Sequence, residues 1–182
     1  METVDALRLG RVDWVGYSFG GRLVVELAAT HPERVRRAVL LDPAIRLPVQ
    51  VAESAAADEE REPVWASASA CFASRDDSAG ADEHRAIADL ELQLERLSDG
   101  RVRRRTSQDA VQAIFRELAS EPPPAEALSM PVLLLYAPES GITSAEQARA
   151  YGRDGVLAVP GGHMVMWSAF DQTANAVLDF FA

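Results

Sequence analysis

Residues 12–21 read Val-Asp-Trp-Val-Gly-Tyr-Ser-Phe-Gly-Gly, and this stretch decides the fold. Its first four residues are a short, mostly apolar run with the length of a buried strand. Apolar residues at helical spacing follow Ser18, and Pro32 ends that pattern because proline disfavours helical geometry in the residue before it. The sequence therefore predicts a strand that turns directly into a helix, with Ser18 at the turn.

A second apolar run, at residues 38–41, follows this helix and leads into Asp42. A strand, a helix and a strand within about thirty residues form a βαβ unit, so we expect two parallel strands with a right-handed crossover. Strand-like runs return at residues 132–136 and 155–159. The predicted fold class is α/β, with a parallel sheet of about four strands flanked by helices.

Residues 49–127 differ in character from the rest of the chain. They are rich in Ala, Glu and Arg and contain few strand-like runs. We therefore interpret them as a helical insertion between two strands of a core that is formed by residues 1–48 and 128–182.

Several helices are predicted from spacing and capping signals. Apolar stripes at helical spacing predict one helix over residues 87–97 and another over residues 111–118, with Ser107 as the N-cap of the second. Thr143 and Glu146 have the spacing of a capping box, which predicts a helix start in the second part of the core.

The composition argues against nucleic acid and membranes as partners. The chain of 182 residues has a net charge of −10, and all 18 of its basic residues are arginine. An acidic surface disfavours nucleic acid and anionic membranes. No apolar run reaches the length of roughly 18 residues that spans a membrane, and residues 1–5 contain no signal-peptide pattern. Cys71 is the only cysteine, which fits the reducing cytoplasm as the expected location.

The pattern Gly16-x-Ser18-x-Gly20 between a strand and a helix is typical of a serine nucleophile. The serine must occupy a strained turn so that its hydroxyl projects above the sheet, and Gly16 and Gly20 are expected to let the two backbones approach. The helix N-terminus and the backbone N–H of Phe19 then lie where an oxyanion would develop.

Three histidines compete for the role of the base. His31 lies at a helix end and His84 lies among charged residues of the insertion, so both are expected on the surface. His163 follows a strand and a Pro-Gly-Gly turn, which predicts a loop at the C-terminal edge of the sheet, where open α/β sheets bind ligands. Ser18 also follows a strand, so we expect His163 and Ser18 to meet.

Four stretches together resemble the α/β-hydrolase superfamily. They are Gly-Tyr-Ser-Phe-Gly-Gly at residues 16–21, His-Pro-Glu-Arg-Val at 31–35, Pro-Val-Leu-Leu-Leu-Tyr at 131–136 and Pro-Gly-Gly-His at 160–163. The resemblance covers both ends of the chain, and it implies that the insertion is the variable helical cap of that superfamily.

The resemblance implies a serine hydrolase of small ester, amide or related acyl substrates, with Ser18 as nucleophile, His163 as base and Phe19 as one oxyanion donor. Such chemistry needs no metal or organic cofactor. The cap would form the pocket for the small-molecule acyl substrate, and Trp65 and Phe72 suggest an apolar lining, although core packing explains these aromatic residues equally well. The alternative is a non-catalytic binding or interaction module on the same fold.

The acid of the triad has two candidates. In the superfamily it usually lies a few residues beyond the penultimate strand, where this chain has Glu139 and then Ser140 at the position expected for aspartate. Some members instead draw the acid from just after the strand that follows the nucleophile helix, which is the place of Asp42. We favour Asp42 and keep Glu139 as the alternative.

The resemblance also implies strands that precede residue 12. Family members have eight strands with the nucleophile after the fifth, so we expect an N-terminally truncated form. A degenerate binding protein, or a sheet that a partner chain completes, would also account for the missing strands. Without the preceding strands, the strand at residues 12–16 would be an exposed hydrophobic edge, which predicts self-association through that edge.

Overall fold

The computed structural model describes residues 2–58, 63–75 and 78–182, and its main elements are strands and helices that alternate at both ends of the chain. The strands within these residues are β1 (Val12–Tyr17), β2 (Val35–Leu41), β3 (Val64–Trp65), β4 (Leu94–Arg96), β5 (Val102–Arg104), β6 (Val132–Tyr136) and β7 (Gly155–Ala158). The helices are α1 (Glu2–Ala6), α2 (Phe19–Thr30), α3 (Val49–Asp58), α4 (Ala68–Ala73), α5 (Glu83–Gln93), α6 (Gln108–Leu118), α7 (Ala145–Tyr151), α8 (Val165–Ser168) and α9 (Phe170–Phe181).

The larger sheet contains four parallel strands in the order β1-β2-β6-β7. In the β1–β2 pair Tyr17 lies opposite Leu41, and in the β2–β6 pair Leu41 lies opposite Leu135. The predicted parallel sheet of about four strands is therefore confirmed. Because the strands are parallel, the residues that follow β1, β2, β6 and β7 all lie at one edge of the sheet.

Helices cover both faces of this sheet. On one face Leu40 and Leu134 pack with residues of α2 and α7, and on the other Leu41 and Leu135 pack with residues of α8 and α9. Strands that are buried on both faces are apolar throughout rather than alternating, which explains the uninterrupted apolar runs in the sequence.

The insertion contains a second, smaller sheet in addition to its helices. Three short antiparallel strands pair in the order β3-β5-β4. Leu94 lies opposite Arg104 in this sheet instead of continuing α5. The predicted helix over residues 87–97 is thus wrong for its last turn, because pairing with β5 takes the backbone of Leu94–Arg96 out of the helix.

Two predicted helix starts have different outcomes. The Oγ of Ser107 accepts a hydrogen bond from the Ala110 N–H, which confirms the N-cap of α6. The capping box of α7 is formed by Ser144 and Gln147, one residue later than predicted. Thr143 is buried, and its Oγ1 donates to the carbonyl of Pro43 at 2.8 Å, so a tertiary contact occupies the side chain that was expected to cap the helix.

Arg22 connects α2 to both ends of the insertion. This residue is only 1% exposed. The guanidinium donates to the carbonyl of Ile45 at 2.7 Å, to the carbonyl of Glu121 at 3.1 Å and to the Glu26 carboxylate at 2.9 Å. A buried charge requires such partners, and here they fix where the chain leaves the core and where it returns.

Strand β1 forms one edge of the sheet. In the part of the chain that the structure describes, β1 pairs with β2 alone. Val15 is 49% exposed, and Leu23 on the following helix is 52% exposed. Self-association through this edge stays a prediction. None of the helices in the described ranges is long and apolar enough to cross a membrane.

Candidate active site

Ser18 occupies a strained turn between β1 and α2. Its φ of 52° and ψ of −122° lie where residues other than glycine rarely occur, at a cost of about 1–3 kcal/mol. The turn is held by the end of β2 and by the loop that follows it. The Ser18 N–H donates to the carbonyl of Leu41 in β2, and the Ala44 N–H in the loop donates to the Ser18 carbonyl, each at 3.0 Å. The sequence pattern thus folds into a sharp turn that fixes the serine at the end of its strand.

Glycines let the strand, the helix and the neighbouring loop approach at this turn. A Cβ on Gly16 would overlap the carbonyl group of Gly20, and a Cβ on Gly21 would lie 2.5 Å from the Cβ of Pro43. A Cβ on Gly20 would meet no described atom within 4 Å. The steric requirement on the helix side therefore falls on Gly21 rather than on Gly20, and the glycine doublet was the sequence signal for it.

His163 lies between Ser18 and Asp42. Its Nε2 is 2.8 Å from the Oγ of Ser18, and its Nδ1 is 2.7 Å from the Oδ2 of Asp42. The ring of Tyr17 packs against the imidazole with 5.0 Å between ring centroids. Because a carboxylate can only accept, Nδ1 carries the proton toward Asp42, and in neutral histidine Nε2 then accepts from the Ser18 hydroxyl.

Asp42 is completely buried, with 0% of its surface exposed. Its Oδ1 accepts from the Ala137 N–H at 3.2 Å, and its Oδ2 accepts from the Ser140 hydroxyl at 2.8 Å as well as from His163. A carboxylate can stay ionised at such depth only when donors surround it. The neutral donors come from the turn after β6, one strand away from Asp42 itself.

The other candidate residues lie elsewhere. Glu139 is exposed in the short 3-10 helix Pro138–Ser140. His31 is exposed at the end of α2, where its Nδ1 contacts the Oγ1 of Thr30, and His84 is exposed in α5. Of the two carboxylates considered from the sequence, Asp42 is the one that the described contacts bring to His163.

Phe19 is the first residue of α2, a helix of 12 residues. The first N–H groups of a helix have no partner within it, and they lie at the positive end of the helix dipole. The backbone N–H of Phe19 therefore has the character of an oxyanion donor, and this role stays a prediction. The side chain of Phe19 packs against the buried cluster that contains Leu47 and the α6 residue Leu118.

The family model of the alpha/beta hydrolase fold matches residues 2–170. The chain belongs to the α/β-hydrolase family.

Similar proteins match over shorter stretches. The putative non-heme haloperoxidase of Mycobacterium phage D29 is 52% identical over 44 residues, which are 24% of this chain and 16% of that protein. The 2-hydroxymuconate semialdehyde hydrolase of Pseudomonas sp. (strain CF600) is 55% identical over 38 residues, which are 21% of this chain and 13% of that protein.

Solved structures match this α/β-hydrolase over nearly its whole length. The crystal structure of E-2-(acetamidomethylene)succinate hydrolase has a TM-score of 0.80 and 24% identity, and the match covers 98% of this chain and 69% of that one. The enol-lactonase from Burkholderia xenovorans LB400 has a TM-score of 0.74 and 22% identity, over 98% of this chain and 68% of that one. At this level of identity the likeness shows the fold.

The insertion of this α/β-hydrolase packs on the residues that flank Ser18 and His163. Tyr17, Met164 and Trp167 belong to one apolar cluster with Trp65 and Phe72 of the insertion. Two hydrogen bonds reinforce this packing: the Gly162 N–H donates to the carbonyl of Ala79 at 2.9 Å, and the Nε1 of Trp167 donates to Asp89 at 3.1 Å. The loop that carries the histidine is therefore held by the insertion as well as by the core.

Metal-ligating side chains do not cluster in the described ranges. Within them, no group of three or more His, Cys, Asp or Glu side chains could hold a metal ion. Cys71 is buried in the apolar cluster around Trp167.

Proposed function

We propose that this α/β-hydrolase cleaves small ester, amide or related acyl substrates, with Ser18 as nucleophile, His163 as general base and Asp42 as the acid. One observation carries the proposal. The Oγ of Ser18, the imidazole of His163 and the carboxylate of Asp42 form a continuous line of contacts of 2.8 and 2.7 Å. That order of groups is the arrangement that activates a serine hydroxyl.

The reaction would proceed in two halves. The Oγ of Ser18 bonds to the acyl carbon while its proton passes to the Nε2 of His163, and the resulting imidazolium is stabilised by Asp42. The imidazolium returns that proton to the leaving oxygen or nitrogen, which departs and leaves an acyl ester on Ser18. Water then gives a proton to His163 and its oxygen to the acyl carbon, and the proton goes back to Ser18 as the acid is released.

The N-terminus of α2 would stabilise the oxyanion of both halves. The Phe19 N–H is adjacent to the nucleophile at the positive end of the helix. Loss of one such donor typically costs on the order of 10²–10³ in rate, so this group is expected to contribute substantially.

The substrate class follows from the surroundings of the site and from the similar proteins. Trp65 and Phe72 are partly buried in the apolar cluster that also contains Tyr17, which supports an apolar acyl group between core and insertion. The names of the similar proteins include hydrolases, an esterase and an enol-lactonase. The hydrolase, esterase and lactonase names support hydrolysis, the putative haloperoxidase names another reaction, and together they favour no single substrate.

A serine-reactive fluorophosphonate probe tests the proposal. We expect labelling of the folded chain at Ser18 and its loss in Ser18→Ala, because the phosphonate reacts only with an activated hydroxyl. Hydrolysis of p-nitrophenyl acetate should fall by roughly 10³-fold or more in the same variant.

Ser129→Ala is the matched control, since Ser129 is an exposed serine of the core and its removal should leave labelling unchanged. A chain that shows native circular dichroism but no labelling at Ser18 would contradict catalysis. Binding of small apolar ligands by such a chain would then favour the alternative of a non-catalytic binding module.

A further inference from the structure

Ser140 lies on the far side of Asp42 from the nucleophile. Its Oγ is 2.8 Å from the Oδ2 of Asp42 and accepts a hydrogen bond from the Ile142 N–H at 3.1 Å. The carboxylate can only accept, and the Ile142 N–H can only donate. The direction of the Ser140 hydroxyl is therefore fixed, with its proton toward Asp42.

The hydroxyl shares its acceptor with the histidine. Oδ2 of Asp42 accepts hydrogen bonds from the Ser140 hydroxyl and from the Nδ1 of His163. Among the described contacts, Oδ1 accepts a hydrogen bond only from the Ala137 N–H. The carboxylate is 0% exposed, so bulk solvent does not reach it. Two donors on one oxygen disperse its negative charge and fix the rotation of the carboxylate, so Ser140 influences how strongly Asp42 holds the histidine proton.

We infer that Ser140 is a positioning residue that sets the orientation and the basicity of Asp42, and through it the proton affinity of His163. The inference rests on the proposed function for its kinetic consequences, although the contacts that carry it are independent of any substrate. In the described contacts the titratable groups that face His163 are Asp42, from the loop after β2, and Tyr17, from the end of β1. Ser140 acts on the first of these.

The sign of the effect follows from the charges. Removal of the hydroxyl leaves His163 as the sole described donor to Oδ2, which makes that oxygen more basic. A more basic carboxylate stabilises the imidazolium, so the pKa of His163 rises. Because the base is active only when it is neutral, the acidic limb of the kcat/KM profile moves to higher pH.

The test compares Ser140→Ala with Ser140→Thr in the full chain. For Ser140→Ala we expect kcat toward p-nitrophenyl acetate to fall roughly 3–10-fold with little change in KM, and the acidic limb to rise by about half a pH unit. The threonine variant keeps a hydroxyl and should restore both values. An NMR titration of the imidazole of His163 should show the same rise, and this readout does not require activity.

Ser144→Ala is the matched control. It removes the hydroxyl that caps α7, four residues from Ser140, so it should lower the melting temperature and leave the pH profile unchanged. A Ser140→Ala variant that loses activity without any shift of the acidic limb of the kcat/KM profile or of the His163 titration would overturn the inference.

Should Ser140→Ala fail to fold, Ser140→Cys replaces it, and the weaker thiol donor should give a smaller rise in the same direction. Absence of labelling at Ser18 in the unaltered chain would refute the proposed function but leave the titration result to decide on Ser140.

Discussion

Asp13 and Asp42 lie at opposite ends of the β1–β2 strand pair, and their partners differ in kind. Asp13 accepts from the guanidinium groups of Arg36 and Arg37. Asp42 accepts from a backbone amide, a hydroxyl and an imidazole. One carboxylate thus faces permanent cations, while the other faces neutral donors and a group that can exchange a proton.

The two arginine partners stabilise the Asp13 end of the strand pair. A hydrogen bond from Arg36 is the largest of the interactions that lower the pKa of Asp13 from its ordinary 3.8 to about 2. Arg37 also donates to the last turn of α9, at 2.9 Å to the carbonyl of Phe180 and 2.7 Å to that of Phe181. Two strands and the final helix are therefore held by one set of charges.

The neighbours of an aspartate determine what its carboxylate can do. An arginine does not release its proton in a protein, so the Asp13 cluster can only stabilise. An imidazole can gain and lose a proton, so in the proposed mechanism the charge of Asp42 assists proton transfer between Ser18 and a substrate.

The largest expected effect is at the Asp42 end. In Asp42→Asn the amide can donate to Nδ1, which favours the wrong tautomer of His163 and leaves Ser18 without its base. We expect kcat to fall roughly 10³–10⁴-fold, as in other serine triads, while the fold is kept. Steady-state kinetics with p-nitrophenyl acetate measures the loss, and a decrease smaller than tenfold would argue against Asp42 as the acid.

A smaller effect, on stability and not on rate, is expected at the other end. Asp13→Asn removes the charge between Arg36 and Arg37 and should lower the free energy of unfolding by about 1 kcal/mol, because partly exposed ion pairs are screened by solvent. Urea denaturation measures the change, and kcat should be unaltered. Glu33→Gln, at an exposed carboxylate, is the control. A rate loss in Asp13→Asn comparable to that of Asp42→Asn would remove the distinction between the two ends.

The smallest effect is the pH dependence of the Asp13 contribution. The folded-state pKa is lowered, so the stabilisation is fully present above pH 3.8 and is lost as the pH falls toward 2. The difference in unfolding free energy between the unaltered chain and Asp13→Asn should therefore shrink over this range. Denaturation series at several pH values check it, and a difference that stays constant down to pH 2 would contradict the role of the charge.

Much of the fold was predictable because its signals are local. The strand, serine turn and helix around Ser18 follow one another within the sequence, and so do β7 and the His163 loop. The strands of the insertion were missed because two or three residues are too few to show a period. The pair Asp99-Gly100 between β4 and β5 is a typical hairpin turn and was the available signal.

The sequence favoured Asp42 over Glu139 but left Glu139 as an alternative, because the contacts of the acid are distant in sequence. Asp42 meets Ser140 across 98 residues and His163 across 121 residues. The superfamily pattern drew attention to the acid position after β6, where this chain has a serine. In the structure this serine, Ser140, donates to the carboxylate of Asp42, which follows the neighbouring strand β2. A contact between residues so far apart in sequence leaves no signal in a short stretch of sequence.

Arg22 has a practical consequence for protein engineering. Its guanidinium contacts the main-chain carbonyl of Ile45, just before the insertion, and that of Glu121 near its end, together with the hydroxyl of Ser120. These two carbonyls lie near the points between which another segment could be grafted onto this core. A graft that begins after Ile45 and ends before Ser120 keeps both anchor points for the arginine and leaves the helix behind the nucleophile undisturbed.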